Sequence, residues 1–278
     1  MITGKILGNT YVLNGHPVPV SGQGPAMKSG IYYEVVRLIQ GKVLFLEDHL
    51  ERLQHSLDGS GIPFPGKEKI RDNLRVLLEH NGIMEGNIRL CITGSGKDEP
   101  VICCYFIPYS YPGQDAYLNG IQLVTYPFQR SDPGIKRWDN TFRVSVNEYI
   151  HARGVHEAVL VNEHEEITEG SRSNIFFIDG SGLLVTPPSG EVLPGITRKH
   201  VLAICRESGN KVEERPVRPC DLSGYVSCFI SGTSPKVLPV RQLDSIAFRV
   251  DHPLTGMIME AYDTLVAANL TDLFHHPD

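Results

Sequence analysis

Leu46, Leu50, Leu53 and Leu57 recur at spacings of four, three and four within LEDHLERLQHSL, whereas in NIRLCIT Ile88, Leu90 and Ile92 alternate singly with Arg89, Cys91 and Thr93. The first pattern places all four leucines on one helical face, whereas the second belongs to strands. A chain carrying both has to pack amphipathic helices on sheets. A second helix is predicted over KEKIRDNLRVLLEH, with Ile70, Leu74 and Leu77 on one stripe and Asn81-Gly82 as its stop. Around these lie the strand-like runs IYYEVVRLI, KVLFL, NIRLCIT and VICCYFI.

The stretch PYSYPGQDAYLNG, rich in Pro, Gly and Tyr, reads as a linker, and the sequence beyond it is denser in strands. GIQLVTY, HEAVLVN, SNIFFI, LLVT, KVEERPV, SCFIS and SIAFRV fit strands, with NEHEE and DGSG as turns. Helices are predicted at TFRVSVNEYIHAR, at TRKHVLAICRESG and after Pro253. Helices and strands mix without regular βαβ alternation, which predicts two α+β domains, residues 1–112 and a larger one over 113–278.

At 278 residues, 41% hydrophobic and 21% charged, the chain has the profile of a globular protein. A formal charge of −6 and scattered basic residues give no electrostatic drive towards nucleic acid or anionic lipid. The start MITGKILGNTYVLNGHPVPV has no signal-peptide pattern and no segment is apolar for long enough to span a membrane, so a cytoplasmic location is expected. Six cysteines without CxxC spacing predict free, largely buried thiols.

Several motifs fall away on inspection. Gly61-Ile62-Pro63-Phe64-Pro65-Gly66-Lys67 matches the first part of a phosphate-binding loop, but Glu68 stands where Ser or Thr should follow and two prolines remove backbone donors. Gly94-Ser95-Gly96 lacks the third glycine of a dinucleotide fingerprint. No HExxH or GxSxG occurs, so neither a metal site nor serine hydrolysis has support.

Four features remain. Lys136 follows a Pro-Gly turn in RSDPGIKRWDN, where a lysine is either a solvated charge or, with its pKa depressed, an amine able to attack a carbonyl. Glu169 in ITEGSRSNIFFI falls between two strands, either as an exposed turn carboxylate or as an anion for a protonated ring nitrogen, with Ser171, Ser173 and Asn174 beside it. In VLPGITRKH the turn Pro194-Gly195 feeds a helix whose first amides, Ile196 and Thr197, could seat a phosphate. SGTSP crowds Ser231, Thr233 and Ser234 behind a strand, as a second phosphate donor or a plain turn.

In order and spacing these pieces resemble fold-type IV pyridoxal-phosphate enzymes, the class IV aminotransferases: branched-chain and D-amino-acid aminotransferases and aminodeoxychorismate lyases. The resemblance runs from about Gly30 to Arg241, through IYYEVVRLIQGKVLFLEDHLERL, Arg130 with Pro133 and Lys136, ITEGSRSNIFFI, LPGITR and SGTSPKVLPV. It implies a small N-terminal α/β domain and a larger C-terminal β-barrel-like domain, with pyridoxal 5'-phosphate as cofactor. It further implies that Lys136 carries the cofactor as a Schiff base and that Glu169 pairs with the pyridine nitrogen, with Asn174 nearby. Arg52, Ile196, Thr197 and Thr233 would bind the phosphate. Tyr33, Arg37 and Ser234 would line the substrate side, with Tyr32 on the opposite sheet face because strand neighbours alternate.

Departures bear on substrate. Branched-chain enzymes place a tyrosine shortly after the lysine, where this chain reads Asp139-Asn140-Thr141-Phe142, with Asn140 as the substitute donor. ITGSG offers no arginine of the kind found in D-amino-acid enzymes, and Pro235 has no N–H to give. The resemblance thus implies an aminotransferase for branched-chain or similar apolar amino acids with 2-oxoglutarate, acting as a homodimer. The alternatives are pyruvate elimination from 4-amino-4-deoxychorismate and, less well matched, D-amino-acid transamination.

Overall fold

A computed structural model describes residues 5–21, 30–94 and 99–275. Ser95 and Gly96 of the glycine turn considered above therefore lie outside the described residues. The chain divides into two compact units, one of Met1–Ser110, Ile135–Asn140 and Val266–Asp278, the other of Tyr111–Gly134 and Thr141–Leu265. This division differs from a single cut at 112/113, because the Lys136 segment and the C-terminal residues belong to the first unit.

The first unit contains β1 (Leu7–Leu13), β2 (His16–Pro19), β3 (Tyr32–Ile39), β4 (Lys42–Leu44), α1 (Leu46–Leu57), α2 (Lys67–Asn81), β5 (Gly86–Thr93) and β6 (Val101–Ile107). A seven-stranded antiparallel sheet runs from the chain's last strand, Leu270–Thr271, through β4, β3, β5, β6 and β1 to β2. The α1 leucines and α2's Ile70, Leu74 and Leu77 pack with Val36, Leu38, Ile88, Leu90 and Ile92 from one face of this sheet. Burying each such side chain stabilises the fold by roughly 1.5–3 kcal/mol. The other face carries Ile31, Tyr33, Cys91, Cys103 and Tyr105, so Tyr32 and Tyr33 do point to opposite faces. Ile135–Asn140 joins this sheet: Tyr33 N donates to Lys136 O at 3.1 Å and Trp138 N to Ile31 O at 2.9 Å, with Tyr32 opposite Arg137.

The second unit contains α3 (Gln114–Asn119), β7 (Ile121–Pro127), α4 (Asn140–Arg153), β8 (Glu157–Val161), β9 (Ile167–Gly170), β10 (Asn174–Asp179), β11 (Leu184–Thr186), α5 (Ile196–Glu207), β12 (Val212–Glu214), β13 (Tyr225–Gly232), β14 (Lys236–Leu243) and β15 (Ile246–Ala247). The chain closes with α6 (Pro253–Ala268) and the strand β16 (Leu270–Thr271) already mentioned. The larger sheet runs β12-β11-β10-β13-β14-β7-β8-β9, with β15 on β14. Parallel pairing of β14 with β7 and β7 with β8 interrupts an otherwise largely antiparallel sheet. Its core gathers Ile175, Phe177, Ile230, Leu238 and Val240. The α+β class is the one the sequence implied.

Some elements depart from the sequence reading. α3 lies inside the expected linker and, at six residues, is too short to show a period. β1 and β2 form a hairpin around Asn14-Gly15, both at positive φ, 48° and 80°, the conformation that an Asn-Gly turn favours. Glu169 sits within β9 rather than between strands. β14 is a strand despite Pro239, which lies before the first β14–β7 pair at Val240, so no ladder bond to β7 is missed. All six cysteines are free, with Cys220 exposed and the other five buried. Among the described residues no helix is long and apolar enough to cross a membrane.

Candidate active site

In the first unit, strand pairing puts Lys136 and Trp138 on the sheet face of Tyr33. Lys136 Nζ stands 4.9 Å from the Tyr33 ring centroid, and Trp138 meets that ring edge-on at 5.4 Å. The Arg89 guanidinium lies 4.4 Å over the Trp138 ring and 5.8 Å from both Tyr33 and Tyr105, with a long hydrogen bond of 3.4 Å from Nη1 to the Tyr105 hydroxyl. Such stacking fixes a guanidinium while leaving its fork shaped for a carboxylate. Burial pushes the Cys91 thiol up to about 12 and the Tyr105 hydroxyl upwards as well, so both are neutral near pH 7. Among the described residues no carboxylate pairs with Arg89. Arg37, opposite Asn87 in the β3–β5 ladder, shares the alternation of Tyr33 and Val35.

The helix-facing side of β3 carries Glu34, which is fully buried. Arg52 grips it bidentately, Nε to Oε1 at 2.8 Å and Nη2 to Oε2 at 2.6 Å, and His49 Nδ1 donates to Oε2 at 2.8 Å. One helical turn further on, the Ser56 hydroxyl accepts the Lys136 backbone N–H at 3.3 Å. Asn140 is the first residue of α4.

In the second unit Glu169 is buried and held from two sides. Leu193 N donates to Oε2 at 3.1 Å, and Arg130 Nε lies 2.6 Å from Oε1 as an ion pair whose angle falls short of an aligned hydrogen bond. A cavity of about 210 Å³ opens beside this pair, lined by Arg130, Pro133, Asn162, Thr168, Glu169 and Glu191. Two residues beyond Leu193, α5 starts at Gly195 without a side-chain cap. Asn174 joins these parts: its amide donates to Leu193 O at 3.0 Å, and its backbone pairs with Ser231. The turn Thr233-Ser234-Pro235 that follows Ser231 closes the β13–β14 hairpin. Thr197, also buried, exchanges a 3.1 Å hydrogen bond with the Tyr262 hydroxyl.

These residues fit a phosphorylated pyridine. Buried hydroxyls ordinarily have partners, yet the Ser173 and Ser231 hydroxyls, next to Asn174 in sequence and in register, have none among the described residues. An uncapped helix start suits a phosphate, and an anchored carboxylate beside a cavity suits a ring nitrogen. Of the sequence-nominated residues, the structure brings Lys136 to Tyr33 in the first unit, with Arg52 on the helix-facing side of the same strand, and links Glu169 and Asn174 through Leu193 at the start of α5 in the second.

Residues 32–243 match the amino-transferase class IV family, and the chain belongs to that family. A Methanocaldococcus jannaschii protein assigned as a branched-chain-amino-acid aminotransferase is 30% identical over 244 residues, 82% of this chain and 83% of its own length. The D-alanine aminotransferase of Bacillus licheniformis is 27% identical over 260 residues, 88% of this chain and 90% of its own. The branched-chain amino acid aminotransferase of Escherichia coli superposes with a TM-score of 0.81 at 22% identity, covering 96% of this chain and 99% of that one. The structural likeness establishes the fold. The chain is a class IV aminotransferase, and pyridoxal phosphate is the cofactor of that class.

Sequence reasoning missed several residues with a place here. His49 and Ser56 fall three residues before and four residues after the nominated Arg52, the same spacing signal that found the leucine face. Arg89 and Trp138 had no local signal, because they meet only through pairing of segments about fifty residues apart. Arg130 stood in the motif that nominated Lys136, but its position on Glu169 is a tertiary fact.

Proposed function

We propose that this aminotransferase takes amino groups from branched-chain or similar apolar amino acids and passes them to 2-oxoglutarate. The observation that carries the reading is Arg89, set without a carboxylate partner among the described residues in an aromatic wall of Tyr33, Tyr105 and Trp138 on the face that bears Lys136. Such a wall accepts an aliphatic donor side chain by apolar contact, and its guanidinium accepts the second carboxylate of a dicarboxylic acceptor. The branched-chain name of the archaeal relative supports the donor class.

Bound pyridoxal phosphate supplies an electrophilic carbonyl carbon and a ring that disperses negative charge. With the cofactor bound, Lys136 Nζ would hold it and would carry the proton released at the donor's α-carbon, as base and then as acid. Glu169, fixed by Arg130 and Leu193 N, holds the proton on the ring nitrogen. Arg52, the Ile196 and Thr197 amides and the Thr233 hydroxyl hold the phosphate, with Asn174 setting the start of α5. Asn140 serves the phenolic oxygen, and Tyr33, Arg37 and Ser234 face substrate. The resemblance supports a homodimer.

Amino acids of both enantiomers, and 4-amino-4-deoxychorismate, added singly to the holoenzyme test this by absorption. Conversion to the pyridoxamine form by L-valine, L-leucine or L-isoleucine is the expected result. Conversion by D-alanine alone, or pyruvate release with the aldehyde form retained, would replace the reading with D-amino-acid transamination or with the lyase. Arg89→Gln should raise KM for 2-oxoglutarate by roughly 10- to 100-fold, the loss of one charge-assisted carboxylate contact, and leave the branched-chain half-reaction within about twofold. Equal loss in both half-reactions would remove Arg89 from acceptor selection.

A further inference from the structure

The Glu34, His49 and Arg52 cluster is an unusual thing to bury. Glu34 has no exposed surface, the His49 side chain is 2% exposed and the Arg52 side chain 9%. Burial opposes the ionised form of Glu34, yet the Arg52 guanidinium and the donors of Arg52 and His49 outweigh it and hold the carboxyl at about 2. Burial pushes His49 down from its ordinary value, so the imidazole is neutral and donates through Nδ1 to the carboxylate. The cluster is therefore one anion and one cation, joined bidentately, with a neutral donor completing the carboxylate's bonds.

A buried ion pair is a weak source of stability, because apolar residues of similar volume often serve as well. What it does supply is orientation. A guanidinium bound through Nε and Nη2 to a carboxylate with no freedom of its own cannot rotate about its terminal bonds. Glu34 is fixed by a central strand of the sheet, and His49 approaches from the same helix as Arg52, one turn earlier. The helix is itself tied to the cofactor lysine, since Ser56, fully buried and four residues beyond Arg52, accepts the Lys136 N–H. Strand β3 pairs with Lys136 from the other side, through Tyr33 N. The Arg52 guanidinium plane and the Lys136 backbone thus belong to one rigid frame within the first unit.

We propose that Glu34 and His49 are positioning residues for the cofactor phosphate, holding Arg52 in a preset orientation so that its anion receptor exists before the ligand arrives. This rests on the reading that Arg52 binds the phosphate. Without the clamp, a long flexible side chain has to be ordered by the ligand itself, and affinity for the phosphate ester falls by roughly tenfold or more. Pyridoxal, which reaches Lys136 but lacks the phosphate, is unaffected.

The test compares binding of pyridoxal phosphate, pyridoxal and inorganic phosphate to the apo-protein, by absorbance for the first two and by competition for the third. Glu34→Gln should weaken pyridoxal phosphate and inorganic phosphate by about tenfold or more, leave pyridoxal within about twofold, and cost nothing further in an Arg52→Gln background. His49→Gln, which keeps the ion pair and removes one bond, should show a smaller loss confined to the same two ligands. It decides the matter if Glu34→Gln does not fold, since Arg52 would then be buried without its counter-charge. Unchanged phosphate-ester affinity in these variants, or an equal loss for pyridoxal, overturns the proposal and leaves the cluster a support of the fold. If Arg52→Gln itself fails to change the ratio of pyridoxal phosphate to pyridoxal affinity, the assignment of Arg52 falls instead.

Discussion

Replacing Gly195 by alanine sets two physical effects of opposite sign against each other. The residue has φ −63° and ψ 134°, a conformation that alanine adopts freely. Chain entropy alone therefore makes Gly195→Ala stabilising, by about 0.4–1 kcal/mol. Packing says otherwise. A Cβ at this position would fall well inside contact distance of Asn174 Oδ1, with Asn174 Cγ at 3.1 Å and Arg198 Cβ at 3.4 Å. Asn174 is not free to retreat, because its amide is bound to Leu193 O at 3.0 Å and the residue is buried. Either the overpacking persists, at about 1–3 kcal/mol, or Asn174 swings away and a buried amide loses its partner, at about 1–3 kcal/mol. The net expectation is a loss of about 1–2 kcal/mol, together with weaker binding of pyridoxal phosphate, because the displaced residues frame the start of α5. Urea unfolding of the apo-protein and a double-mutant cycle with Asn174→Ala measure both parts. In the Asn174→Ala background the alanine at 195 should be neutral or stabilising, a coupling of about 1–3 kcal/mol. A Gly195→Ala variant at least as stable as the parent, or additive costs in the cycle, would refute the argument.

Lys136→Ala should give a protein to which borohydride fixes no cofactor and which has no measurable transamination. Cofactor still fixed by reduction, found by mass spectrometry, would move the role elsewhere. Acid should expose the Glu34 cluster. With a folded pKa of about 2 against an ordinary 4.5, Glu34 contributes stability that is full above about pH 4.5 and lost as pH falls towards 2, about 3 kcal/mol in all. His49, whose folded pKa lies below 6.5, adds to the same acid loss from about pH 6.5 downwards, because the unfolded chain takes up its proton first. A pH series of urea midpoints for parent and Glu34→Gln/Arg52→Gln checks this, and identical slopes between about pH 6 and 3 would contradict it.

What the sequence determined by itself is local or ordered along the chain. The leucine spacing in α1, the glycine stop of α2 and the alternation that separates Tyr32 from Tyr33 follow from periods of about 3.6 and 2. The order of the Lys136, Glu169, Thr197 and Thr233 motifs was enough to point to the family. Other features are set by pairings distant in sequence. Arg89 reaches Trp138 because β5 pairs with β3 and β3 pairs in turn with the lysine segment. Arg130 reaches Glu169, and Asn174 reaches Leu193, across separations of 39 and 19 residues. Register between distant strands depends on the burial of whole faces at once, so no short window of sequence records it. For this reason the cofactor class was legible in the order of motifs, while the residues that orient its receptors and shape the substrate wall were decided by the tertiary structure.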